Sequence, residues 1–235
     1  MLELTNVHVS IGLVNILYDV SLNVKESECV ALIGSNGAGK TTTLKTISGL
    51  IRQDSGDISM NGKSMNDVRS DKRVKAGIVQ VPEGGRVFPY LTVEENLQIG
   101  ASATLDAWNA RKESMARVFN LFPILEERRS LPARSLSGGE RQMLAIGRGL
   151  MSKPKLMMID EPSGGLAPKV LKEIYVIMKS LHEQGVTILL SEQNVRQALG
   201  LASRAYVMEN GHIVMQGASE ELIKSEHIKV AYLGV

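Results

Sequence analysis

The chain of 235 residues is long enough to bury a sizeable core, as one large domain or a domain with a sublobe. Its formal net charge of +2 comes from well-mixed Lys, Arg, Asp and Glu, without the blocks of like charge expected of a nucleic-acid arm or a lipid anchor, so no nucleic-acid partner is expected. No segment approaches the roughly 18 consecutive apolar residues of a membrane span, and the single cysteine, Cys29, cannot form an internal disulfide. The first residues, MLELTNVHV, alternate like a strand rather than reading as a secretory leader, which together with the cysteine usage suits the cytosol.

Strand patterns run through LELTNV, VSLNV, CVALI and GIVQV, and again through LMMID, VTILL, AYVME and HIVMQ, with helical periodicity in several gaps. This alternation predicts an α/β fold around a largely parallel central sheet. From about 94 to 152 the chain instead carries helical patterns such as ARKESMARVFNLF and GGERQMLAIGRGLM, with no convincing strand. One folding unit is expected, with sheet-forming parts at about 1–93 and 153–235 and an inserted helical sublobe at about 94–152.

The strongest local signal is CVALIGSNGAGKTTTLKTI. An apolar strand, Cys29 to Ile33, runs into Gly34, Ser35, Asn36, Gly37, Ala38, Gly39, Lys40 and Thr41 and then a helix beginning near Thr42, the strand, G-x-x-x-x-G-K-[ST], helix order of a P-loop. Glycines let backbone N–H groups wrap a phosphate while the helix start adds its positive dipole. Lys40 reaches the outer phosphates, and the Thr41 hydroxyl suits Mg2+. Downstream, LMMIDEPSGGL delivers Asp160 and Glu161 at the end of a second apolar strand, where Pro162 helps stop the ladder. Alone, such a pair reads equally as a solvated strand end. After a P-loop, Asp160 suits Mg2+ and Glu161 suits the base that activates water.

In RSLSGGERQMLAIGRGL, Ser137 and Glu140 have capping-box spacing, with an apolar face at Met143, Leu144, Ile146 and Leu150 behind them. That reading leaves Gly138 and Gly139 unexplained. Small residues at a helix start leave N–H groups open to a phosphate, and a second phosphate-ready helix suggests two ends that meet across a dimer. LLSEQN, Leu189 to Asn194, ends another apolar run with polar residues, and locally it is either the wet end of a strand or one wall of a site.

Together these motifs resemble an ATP-binding cassette subunit over essentially the whole chain: GSNGAGKT resembles the Walker A motif, LSGGE the signature motif and LMMIDE the Walker B motif. VPEGGRVFPYLTVEENL, LFPILEERR, DEPSGGLAP, SEQN and the terminal AYLG resemble the ATP-binding subunit of bacterial branched-chain amino acid importers. The resemblance implies a P-loop NTPase fold, with a RecA-like lobe that combines the mainly parallel sheet with an antiparallel β portion. ATP and Mg2+ are the implied cofactors. A head-to-tail dimer, with a copy of itself or a different ATP-binding subunit, would bring Ser137, Gly138, Gly139 and Glu140 over the ATP of the partner's P-loop. Two membrane-spanning permease subunits, docked beside the segment after Glu83, and an external solute-binding protein complete the implied complex at the cytoplasmic face of the membrane.

Five positions depart from the wider family. Ile11 falls where an aromatic usually stacks on adenine, so the base meets an aliphatic side chain without a π face. Glu83 falls on the loop glutamine, while Gln80 fits the strand GIVQV; a carboxylate can approach Mg2+ but lacks the amide's donor. Glu140 takes the signature glutamine's place, and Ala167 stands where an aspartate is common. Gln193 occupies the place of the switch histidine, and His8, His182, His212 and His227 all lie elsewhere. Its amide would donate to the γ-phosphate without changing charge. Alternatives are a soluble cassette ATPase working on a macromolecule, an importer of another small polar solute such as an amide or urea, and a P-loop kinase. The absence of a basic extension weighs against the first, and the LSGGE helix before the Walker B strand against the last.

Overall fold

The computed structural model describes residues 1–233, so Gly234 of the AYLG segment lies outside the described residues. Among the described residues ten strands form two sheets. In the smaller, antiparallel sheet, β1 (Leu2–Ile11) lies between β2 (Val14–Val24) and β4 (Ser55–Met60), with the short β5 (Lys63–Ser64) outside β4. The larger sheet contains β3 (Cys29–Ile33), β6 (Ile78–Val81), β7 (Leu156–Asp160), β8 (Thr187–Glu192), β9 (Arg204–Glu209) and β10 (His212–Ala218), in the order β10-β9-β3-β8-β7-β6. All its pairings are parallel except β10 with β9.

Both β4 and β5 escaped the strand pattern. SGDISM mixes Gly, Asp and Ser with only two large apolar residues, Ile58 and Met60, and these two are buried. Asn61 and Gly62, at φ 51° and 72°, make the left-handed turn that an Asn-Gly pair favours, and this dipeptide was the available signal.

The larger sheet is covered on both faces, and the pleat sorts its side chains into two apolar layers. Cys29, Ala31 and Ile33 of β3 pack on one side with Met157 and Ile159 of β7, whereas Val30 and Leu32 pack on the other with Leu156 and Met158. A continuous apolar run is what such a doubly buried strand requires. On the first side lie the helices α3 (Val93–Ala101), α5 (Arg111–Leu121), α6 (Pro123–Glu127) and α7 (Gly138–Leu150), and the short α4 (Leu105–Asn109) lies against α5. The remaining helices used below are α1 (Lys40–Ile47), α2 (Ser70–Ala76), α8 (Pro168–Glu183) and α9 (Val195–Leu201). Here α1 and α2 follow β3 and β5, α8 joins β7 to β8, and α9 joins β8 to β9. No helix among the described residues is long and apolar enough to cross a membrane.

Candidate active site

The site forms at the carboxyl ends of β3, β7 and β8, neighbours in the larger sheet that release their chains at one edge of the core. From β3 the chain turns through Ser35, Asn36 and Gly37, all exposed, and re-enters at Ala38 and Gly39. Gly39 caps α1 with φ 109°, a conformation closed to most side chains. Lys40 is only 3 % exposed, yet its ammonium is fully engaged. It donates to Gly34 O at 2.7 Å and Ser35 O at 2.9 Å, and lies 3.0 Å from Glu161 Oε1.

Thr41 Oγ1 donates to Asp160 Oδ1 at 3.1 Å, joining the helix start to the end of β7. Thr42 is half-buried on the first turn and its carbonyl accepts from Thr46 Oγ1. Asp160 is 1 % exposed. Burial pushes its carboxyl above the usual range, aided by the neighbouring Glu161 charge; hydrogen bonds from Ser191 and Thr41, with the Lys40 charge, oppose the shift. Glu161 itself sits at φ 41°, in the left-handed region, with its N–H donated to Ser191 O at 3.0 Å. This kink turns its carboxylate away from the strand line and onto Lys40. Lys40, Thr41, Asp160 and Glu161 therefore form one hydrogen-bonded group from two segments more than a hundred residues apart.

The remaining candidates lie around this group at different distances. Glu83 is exposed on the loop after β6; its carboxylate approaches Gly164 in the loop after β7, and no hydrogen bond joins it to Thr41 or Asp160 among the described residues. Gln80 belongs to β6 and accepts from Ser48 Oγ, beyond the end of α1. Gln193 is exposed just after β8 and lines a cleft of about 540 Å3 with Ser163, Asn194, Val195, Arg196 and Tyr232. Ile11 is exposed at the β1–β2 turn beside the exposed Leu13 and Val14, an aliphatic tip.

At the start of α7 the capping box is complete. Ser137 Oγ accepts from Glu140 N, and Glu140 Oε2 accepts from Ser137 N at 2.8 Å while also meeting Arg128 at 3.0 Å. Ser137 and Gly138 are exposed, but Gly139 is not free. A Cβ there would lie 2.3 Å from Val170 Cγ1 of α8, so helix packing within the chain accounts for this glycine, which the capping pattern left unexplained. Ala167 caps α8 with no side-chain hydrogen bond.

Sequence reasoning missed Ser191 and Glu192. Ser191 Oγ donates to Asp160, and the fully buried Glu192 accepts from Ser163, Tyr175 and Asn194. Both read as the polar end of an apolar strand. The signal that could have found them is the adjacency of β7 and β8, which puts Asp160 opposite Ser191.

The family model described as ABC transporter matches residues 17–164. The high-affinity branched-chain amino acid transport ATP-binding protein BraG of Pseudomonas aeruginosa is 48% identical over 235 residues, covering 100% of both chains. The lipopolysaccharide export system ATP-binding protein LptB of Haemophilus influenzae is 36% identical over 220 residues, 93% of this chain and 91% of that one. Among solved structures, a dimeric, post-hydrolysis ATP-binding cassette bound to ADP and phosphate is similar with a TM-score of 0.79 and 25% identity, over 93% of this chain and 99% of that one. With its phosphate loop and paired acids on a shared sheet edge, the chain belongs to the ABC transporter family, as an ATP-binding cassette that hydrolyses ATP.

Proposed function

We propose that this chain is the motor subunit of a membrane importer for branched-chain amino acids, paired head to tail with a second ATP-binding subunit beneath two permease subunits. The convergence of Lys40, Thr41, Asp160 and Glu161 supports the chemistry, and the full-length similarity to BraG carries the solute class. Backbone N–H groups between Ser35 and Lys40 would wrap the phosphates of ATP, with Lys40 exchanging the Gly34 and Ser35 carbonyls and the Glu161 carboxylate for the outer phosphates. That exchange releases Glu161 from Lys40 and leaves its carboxylate free to take a proton from the attacking water. Thr41 Oγ1 and Asp160 Oδ1 are adjacent hard oxygens and fit Mg2+, which keeps few protein ligands. When bound, the ion would neutralise charge on the outer phosphates. Glu83 would reach it from the loop after β6, and the Gln193 amide would donate to the γ-phosphate.

Across the dimer, Ser137 with the first N–H groups of α7 at Gly138 and Gly139 would meet the partner's ATP. These N–H groups have no intrahelical acceptor by geometry. Glu140 acts by holding that helix start in place. ATP held between the two faces favours the closed pair, and hydrolysis removes that preference, so the permeases are driven between two states.

The test is uptake of labelled leucine, isoleucine and valine into membrane vesicles carrying the native complex. ATP-dependent uptake abolished by Lys40→Ala is expected. The similarity to LptB favours a second reading, lipopolysaccharide export; outward transfer of that lipid with no amino acid uptake would replace the first.

A further inference from the structure

Glu192 is 0 % exposed and no cation pairs with it among the described residues, yet each of its oxygens is doubly satisfied. Oε1 accepts from Ser163 N at 3.2 Å and Tyr175 Oη at 2.9 Å, while Oε2 accepts from Ser163 Oγ at 2.9 Å and Asn194 N at 3.0 Å. Its backbone carbonyl accepts from Gly34 N at 3.3 Å, at the start of the phosphate loop. Three segments thus meet on one residue: the loop after Glu161, the loop that carries Gln193, and the phosphate loop. Burial and the neighbouring Glu192 charge push the Tyr175 hydroxyl well above its ordinary value, which keeps it a donor.

From this geometry we infer that Glu192 is a positioning residue for ATP hydrolysis. Its carboxylate ties the Ser163 loop to the Gln193 loop and so holds Glu161 and Gln193 in register about the γ-phosphate. The inference rests on the roles proposed above for Glu161 and Gln193. A buried carboxylate without a countercharge is costly unless it is fully hydrogen-bonded, and an apolar side chain would fill the same space at lower cost. What an apolar residue cannot do is bind two loops at once. Glutamine fails for a specific reason. Each carboxylate oxygen faces one hydroxyl, which can turn and accept, and one backbone N–H, which cannot. In either amide orientation the NH2 group therefore opposes a backbone N–H, that of Ser163 or that of Asn194, and one of the tethers between the loops is lost.

The same connection reaches the signature end of the molecule. Beyond Ser163 the loop leads into α8, whose Val170 packs against Gly139 at the start of α7. A shift of the Gln193 loop therefore moves a segment that touches the face offered to the partner's ATP.

The experiment measures ATP hydrolysis in the complex assembled with its membrane partners, for Glu192→Gln, Ser163→Ala and Glu161→Gln, together with thermal midpoint and MgATP affinity. Glu192→Gln is expected to lower kcat about tenfold with KM for ATP within about twofold, because the contacts of Lys40 and the phosphate loop are untouched while Glu161 and Gln193, which act in the transition state, are displaced. Ser163→Ala, which removes one hydroxyl and keeps the backbone tether, should lower kcat about threefold, and the double variant should be less than additive. If Glu192→Gln does not fold, Ser163→Ala decides. Native kcat per folded complex, or a loss confined to KM or to the thermal midpoint, overturns the inference. Native turnover in Glu161→Gln would instead overturn the reading beneath it.

Discussion

The carboxyl edge of β3 and β7 and the start of α7 both carry glycines and a helix N-terminus, but they finish their hydrogen bonding in different ways. At the first, charged groups are sunk into the protein and satisfied within the chain: Lys40 on Glu161 and two carbonyls, Asp160 under Thr41 and Ser191. At the second, only the cap is satisfied internally, and Ser137 and Gly138 present an exposed surface. On the reading proposed above, one end does chemistry on a phosphate and the other closes over one, and a second molecule brings the two together.

Three variant sets separate the two ends, in descending order of effect. Lys40→Ala removes the charge that would face the outer phosphates and should lower turnover by about 10²-fold or more, with weaker ATP binding; unchanged ATP affinity would separate Lys40 from the phosphates. Asp160→Asn should also suppress hydrolysis, yet raise the thermal midpoint at neutral pH. Because burial raises the folded-state pKa of Asp160, the native protein holds its proton more tightly than the unfolded chain, and stability falls as pH rises from the unfolded value through the folded one. Asparagine keeps an acceptor for Thr41 and Ser191 without the charge, so its advantage should disappear in acid; a thermal scan at both pH values checks this.

At the signature end the expected changes fall on stability and assembly first. Gly139→Ala forces a methyl group onto Val170 and should cost about 1–3 kcal/mol, partly restored by Val170→Ala, as read by denaturant unfolding. Ser137→Ala removes the cap at about 0.5–2 kcal/mol. Glu140→Gln keeps an acceptor for Ser137 N but loses the attraction to the part-exposed Arg128, about 0–1 kcal/mol.

How much of this was legible depended on how local each signal is. GSNGAGKT is contiguous, so its strand, loop and helix follow from spacing alone, and Asp160 and Glu161 follow an apolar strand in the same way. The mainly parallel sheet was visible in the alternation of apolar runs with helical ones. SGDISM was not, because β4 holds its place through two buried side chains and its pairing with β1 rather than through its own pattern. Glu192 was missed for a related reason: its partners at 163, 175 and 194 converge only after β7, α8 and β8 pack. Gly139 suggested a ligand from sequence, and its contact with Val170 belongs to the tertiary fold.

The most direct test of the account is ATP turnover of the assembled complex with Glu161→Gln in this chain, measured beside ATP binding at equilibrium. Glutamine preserves the shape of the side chain and removes the base, so turnover at this site should fall by about 10²–10⁴-fold while ATP remains bound. Native turnover in that variant would contradict the assignment of Glu161, and with it the claim that the buried edge of β3 and β7 is where the chemistry takes place.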